Sequence, residues 1–123
     1  MTNQTQNSAQ LEDHTFQFAQ AVREFGKRLP NTVSNVEDLR ELVRASGQVG
    51  ALYLQSKSAS SRQMFVEDIR SCAQQAQTTH YWLRLVDLQG NQDLENQRTF
   101  LLKIAKELVG VFTQIIQKSA AWG

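Results

Sequence analysis

An all-α protein, an antiparallel up-down four-helix bundle, is the fold class this sequence predicts, on three observations. Apolar residues recur in alternating steps of three and four through four separate segments, the spacing that lays one stripe along a helix. Short polar turns at Pro30–Asn35, Ser58–Ser61 and Gln89–Asp93 separate those segments. The period-2 alternation of a half-buried strand is almost absent. Helices joined by such short connections pack as antiparallel neighbours, and 123 residues are one domain's worth of chain.

In chain order, residues 1–9 are Gln/Asn/Thr/Ser-rich without apolar period and predict a mobile tail. Residues 10–119 are assigned to the bundle, and 120–123 to a short C-terminal tail. Helix one carries the seam Leu11, Thr15, Phe18, Val22, Phe25 and Leu29. It stops before Pro30, with Arg23, Lys27 and Arg28 suited to the negative end of its dipole. Ser34 with Glu37, or Asn35 with Asp38, offers a capping box for helix two.

Helix two holds Gly47 and Gly50 among Ala45, Ser46 and Ala51. Each interior glycine costs roughly 1 kcal/mol relative to alanine, so the bare strip predicts a close neighbouring helix. Leu42, Val49, Leu52 and Tyr53 supply the bulk around it. Ser60 or Ser61 caps helix three, whose seam is Phe65, Ile69, Cys72, Ala76, Thr79, Leu83 and Val86. Gly90 or Asn91 can take the left-handed conformation in the third turn.

Helix four carries a core seam of Leu101, Ile104, Leu108, Val111 and Ile115. Displaced by one residue is a second: Leu102, Ala105, Val109, Phe112 and Ile116. Together they span roughly 200° at 100° per residue, wider than one bundle core requires. Tyr81, Leu85 and Leu88 lie off the seam of helix three in the same way. The expectation is an interface with another copy at Tyr81, Leu85, Leu88, Leu102, Val109, Phe112 and Ile116, because a continuous uncovered apolar stripe marks a contact surface.

Charge and composition narrow the function. Thirteen Lys+Arg against twelve Asp+Glu leave +1, so no global field favours nucleic acid or anionic membrane. A local patch of Arg40, Arg44, Lys57 and Arg62 is the one candidate for phosphate contact, with Glu37 and Glu41 near enough to neutralise part of it. Tyr81 and Trp82 could stack on bases, but suit oligomer packing better. The single Cys72 excludes an internal disulfide and suits a reducing compartment. The polar, uncharged N-terminus is unlike a signal peptide, and no apolar run nears the roughly 20 residues a membrane span needs. A cytoplasmic protein is expected.

No catalytic, cofactor or metal residues are assigned. A di-iron bundle needs inward carboxylates and Glu-x-x-His pairs, but the residue three before His80 is Gln77 and the seams contain no glutamate. His14 is expected in solvent, His80 at the surface or an interface, and Cys72 as a buried inert thiol.

Leu29-Pro30-Xaa-Thr32, Leu42-Val43-Arg44, Val49-Gly50-Ala51-Xaa-Tyr53, Ser61-Arg62-Xaa-Xaa-Phe65, Tyr81-Trp82-Leu83-Arg84-Leu85 and Glu107-Leu108 follow one another in order. Over roughly residues 16–118 this order and spacing resembles the bacterial four-helix-bundle proteins often encoded within intervening sequences of large-subunit ribosomal RNA genes. The resemblance implies a left-handed up-down bundle that assembles as a homopentameric ring, with a non-enzymatic role. A more distant similarity is to the accessory variability determinant of diversity-generating retroelements, a basic pentamer that binds nucleic acid and a reverse transcriptase. Its strong basicity is missing here. The family usually has asparagine where this chain has Leu52, and acidic residues where it has Gln55, Gln75 and Thr78. A polar network between helices two and three is thus replaced by leucine and neutral groups.

Two functions are expected in order: a non-enzymatic homo-oligomeric assembly or adaptor protein, with itself or another protein as partner, or a nucleic-acid-binding accessory factor, including one that works with a reverse transcriptase, using the arginine patch.

Overall fold

The computed structural model describes residues 2–121, with side-chain surroundings for residues 8–119. Four helices, α1 (Thr2–Lys27), α2 (Val33–Ser56), α3 (Arg62–Leu85) and α4 (Gln92–Ala121), alternate up and down, and no strand occurs among the described residues. Each helix packs on its two neighbours around a square, and the backbones of the diagonal pairs stay more than 8 Å apart. The α2–α3 and α3–α4 seams are the closest, and the α1–α4 seam is the loosest.

Helix α1 reaches back to Thr2, so residues 2–9 are helical where a mobile tail was expected. Nothing in the segment stops propagation from the packed turn at Leu11, since it has neither glycine nor proline before Gly26. The Ser8 hydroxyl also meets the Tyr53 hydroxyl of α2 at 3.0 Å. The C-terminal tail assigned to 120–123 is helical through Ala121, and Trp122 and Gly123 lie outside the described residues.

The predicted seams of α1 and α3 form the core: Leu11, Thr15, Phe18, Val22 and Phe25 are buried, as are Ile69, Cys72, Ala76, Thr79, Leu83 and Val86. In α4 the register differs. The fully inward residues are Leu94, Leu101, Ala105, Leu108 and Phe112, a stripe drawn from both expected seams. Ile104 and Ile115 flank it on one side, Leu102, Val109 and Ile116 on the other. Arg98, one turn before Leu102, reaches backbone carbonyls at the end of α3, and Gln97, seven before Ile104, bonds Arg28 after α1. The Leu102 stripe therefore faces α3 and the Ile104 stripe faces α1. A helix in a square bundle has two neighbours to satisfy, which explains its wide apolar face.

The cap of α2 is a residue other than those first in view, and the cap of α3 is one of the two expected. Thr32, not Ser34 or Asn35, caps α2, its hydroxyl accepting from the Asn35 amide at 3.1 Å. Asn35 instead turns inward and is buried. Its Nδ2 donates to the carbonyls of Pro30 and Asp87, both at 2.9 Å, and its Oδ1 accepts from the Asp87 amide at 2.9 Å. One side chain thereby ties the α1–α2 turn to the α3–α4 turn. Ser61 caps α3, accepting from the Met64 amide. In the third turn Gln89 and Gly90 take positive φ, 53° and 76°, which leaves Asn91 to cap α4 through the Leu94 amide.

The glycines of α2 do two different things. A Cβ on Gly50 would meet the Thr15 hydroxyl at 2.9 Å, so this glycine lets α1 close in. Gly26 of α1 does the same against Leu39. A Cβ on Gly47 would meet only the tip of Arg23, at 3.4 Å. Gly47 faces the outside of the α1–α2 pair.

Candidate interaction surfaces

Among the described residues no group of three or more His, Cys, Asp or Glu could hold a metal ion. Cys72 is fully buried, and desolvation, reinforced by the Asp68 charge, pushes its thiol up to about 12. Its thiolate is absent at neutral pH. His80 is half-buried beside Lys106 and Arg84, and desolvation first, then those two charges, lowers its pKa. His14 is exposed on α1. No described helix is long and apolar enough to cross a membrane.

The seven residues expected at an oligomer interface fall into three places. Leu88 and Phe112 are 2% and 0% exposed and belong to the core of the single chain. They are corrected from interface to core: Phe112 sits on the inward stripe of α4, its ring 6.2 Å from that of Tyr53, and Leu88 plugs the end of the bundle under the third turn. Leu102, Val109 and Ile116 are partly buried against the core on the α3 side. Only Tyr81 and Leu85 are exposed, at 52% and 48%, with Tyr81 packed edge-on against Trp82 at 5.2 Å. Of the displaced stripe of α4, Ala105 and Phe112 are buried within the chain, and Leu102, Val109 and Ile116 keep part of their surface.

Arg40, Arg44, Lys57 and Arg62 likewise do not meet as one patch. Arg40 and Lys57 are about 25 Å apart along α2 at 1.5 Å per residue. Lys57 pairs with Glu12 of α1 at 2.6 Å and lies 5.2 Å from the Tyr53 ring centre, while Arg44 pairs with Glu41 at 3.1 Å. Arg62 opens α3 at the same end as Lys57. Of the positions where a polar network was at issue, Gln55 bonds Asp68 across α2–α3 at 3.1 Å, Leu52 packs on the core, Gln75 is half-buried and Thr78 is exposed.

What the sequence reading missed is a channel on the outside of α1 and α2. It encloses about 560 Å³ and has a floor of Ala19, Gly47, Gly50 and Ala51. Phe16 and Leu54, each 54% exposed, stand over it, with Asp13 and Gln20 along its α1 edge and Arg23 across it. A shallower depression lined by Val36, Leu39, Arg40, Val43 and Arg44 lies further along the outer side of α2. The signal was available: Val36, Arg40, Val43, Gly47, Gly50 and Leu54 are themselves spaced four, three, four, three, four. The glycines in that stripe read instead as contact ground for a neighbouring helix, which only Gly50 is.

These surfaces define a helical bundle with apolar ground outside its own core. The chain matches no protein-family model, no curated protein and no solved structure.

Proposed function

We propose that the protein is a non-enzymatic assembly or adaptor unit that associates with copies of itself. The α1–α2 channel carries this reading, because Phe16 and Leu54 hold large apolar side chains in water above a floor with almost no side chain. The motif resemblance to ring-forming bundles supports the same class and adds a pentamer as one stoichiometry. Dispersal of the four cations, two of them paired, and a net charge of +1 weigh against the nucleic-acid alternative. Size exclusion with light scattering, run from low to high micromolar protein, is the test. The expected result is a mass above the 14.0 kDa of one chain that grows with concentration or stays at a fixed multiple. A monomer throughout refutes the reading. RNA or DNA binding with a steep salt dependence would favour the alternative instead.

A further inference from the structure

We infer that the outer face of α1 and α2 docks an antiparallel second copy of the same face, across a two-fold axis passing near position 18 of α1. The inference rests on the self-association reading and names its surface. Ala9, Asp13, Phe16, Gln20, Arg23 and Lys27 form a stripe in steps of four, three, four, three, four along α1, and Ala9, Asp13, Phe16, Gln20, Arg23 and Lys27 are all exposed. Its charge order is acid toward the N-terminal end and base toward the C-terminal end. Asp13 and Arg23 each lie five residues from position 18, about 7.5 Å along the axis. An antiparallel second copy therefore sets Asp13 opposite the partner's Arg23 and Arg23 opposite the partner's Asp13. A parallel copy would set like charges together.

The rest of the face agrees with this register. Among the described residues Asp13 has no ion-pair or hydrogen-bond partner, and Arg23 bonds only the Ala19 carbonyl, at 3.2 Å. The other acids of this part of α1 are already satisfied, Glu12 by Lys57 and Glu24 by Lys27. Phe16 comes opposite the partner's Gln20, over the part of the channel whose floor is Ala19 and Gly47, where a ring has room that a larger side chain at 47 would take. The face runs about 27 Å from Ala9 to Lys27 and about 20 Å across two helices, on the order of 500 Å² per copy. That is under the roughly 800 Å² per partner of a standard stable interface, the size class of reversible contacts. An isologous contact closes at two.

Sedimentation velocity over a micromolar concentration series tests it with Asp13→Arg, Arg23→Asp and the double variant carrying both. All the changed positions are exposed, and circular dichroism confirms that each variant folds. Each single reversal is expected to weaken the dimer roughly tenfold, since two attractive pairs become repulsive, and the double variant is expected to recover most of the loss. Phe16→Ala weakens it by a similar factor, and Tyr81→Glu leaves it unchanged. Single reversals without effect, or a double variant no better than the singles, overturn the two-fold pairing. An oligomer of any size that ignores Asp13, Phe16 and Arg23 overturns this surface and leaves self-association standing. A wild type monomeric at every concentration overturns both.

Discussion

Replacing Asn35 by alanine removes one side chain and three hydrogen bonds at once. The donors and acceptors left behind are the Pro30 carbonyl, the Asp87 carbonyl and the Asp87 amide. Each lost bond contributes about 0.5–1.5 kcal/mol net, and a partner left dry costs more. Asn35 is only 2% exposed, yet its partners sit in turns where water can reach some of them, which holds the total to about 3 kcal/mol. For a chain of this length that lowers the melting temperature by roughly 12 °C. Urea unfolding followed by circular dichroism reads the free energy directly. Asn35→Leu separates the causes: it restores volume but no hydrogen bond, so its loss should match or exceed that of alanine. A loss under about 1 kcal/mol for Asn35→Ala would refute the role of Asn35 in tying the two turns together. Recovery by leucine would show that the site needs bulk and not polarity.

Phe112→Ala should cost about 3–5 kcal/mol, the range for a large buried ring. Unfolding titrations check this, and a variant that stays as stable as wild type but changes its oligomeric state would return Phe112 to the surface. Gly110→Ala should stabilise the protein by up to about 1 kcal/mol, because Gly110 lies within α4 and a Cβ there meets nothing within 4 Å; a fall in melting temperature would contradict it. His80 titrates below its ordinary 6.5 in the folded chain. The unfolded chain therefore takes up its proton first, and stability present above pH 6.5 is lost as the pH drops toward the folded value. Urea midpoints from neutral to mildly acidic pH should show a decline that His80→Gln flattens, and an unchanged slope in that variant would exclude His80 as the source.

Most of the fold was legible because helix periodicity and turn composition are local. Apart from the partly buried Leu29 and Phe65, the seams of α1 and α3 are the observed core, and Ser61 caps α3 as one of two named candidates. For α4 the pattern was ambiguous by one residue, since two adjacent stripes of equal hydrophobicity surround the true inward line through Leu101, Ala105, Leu108 and Phe112. The two neighbouring helices take up much of both stripes, with Val111 left 39% exposed. Asn35 and Arg98 were invisible for a different reason. Asn35 bonds a residue 52 positions away. Arg98 closes the end of α3 through the Val86 carbonyl at 2.7 Å while Glu95 holds it by both oxygens at 3.0 Å. Neither partnership leaves a mark in local spacing. The candidate surface on α1 and α2 escaped because its small-residue floor reads as ground for a close neighbouring helix, which holds at Gly50 and not at Gly47.

The unequal seams of the square divide the molecule in time as well as in space. α3 is shared by the two closest seams and α1 borders the loosest, so the sheltering of backbone amides from solvent deuterium should rank α3 above α1. Opening is expected to begin where α1 parts from α4, which would uncover the core residues Phe18, Val22 and Phe25. The Asn35 bond to the Pro30 carbonyl anchors the far end of α1, so the Ser8 end is expected to open first. Native-state hydrogen exchange should then resolve α1 as a separate, earlier-exchanging unit, with protection rising along it from Leu11 toward Phe25.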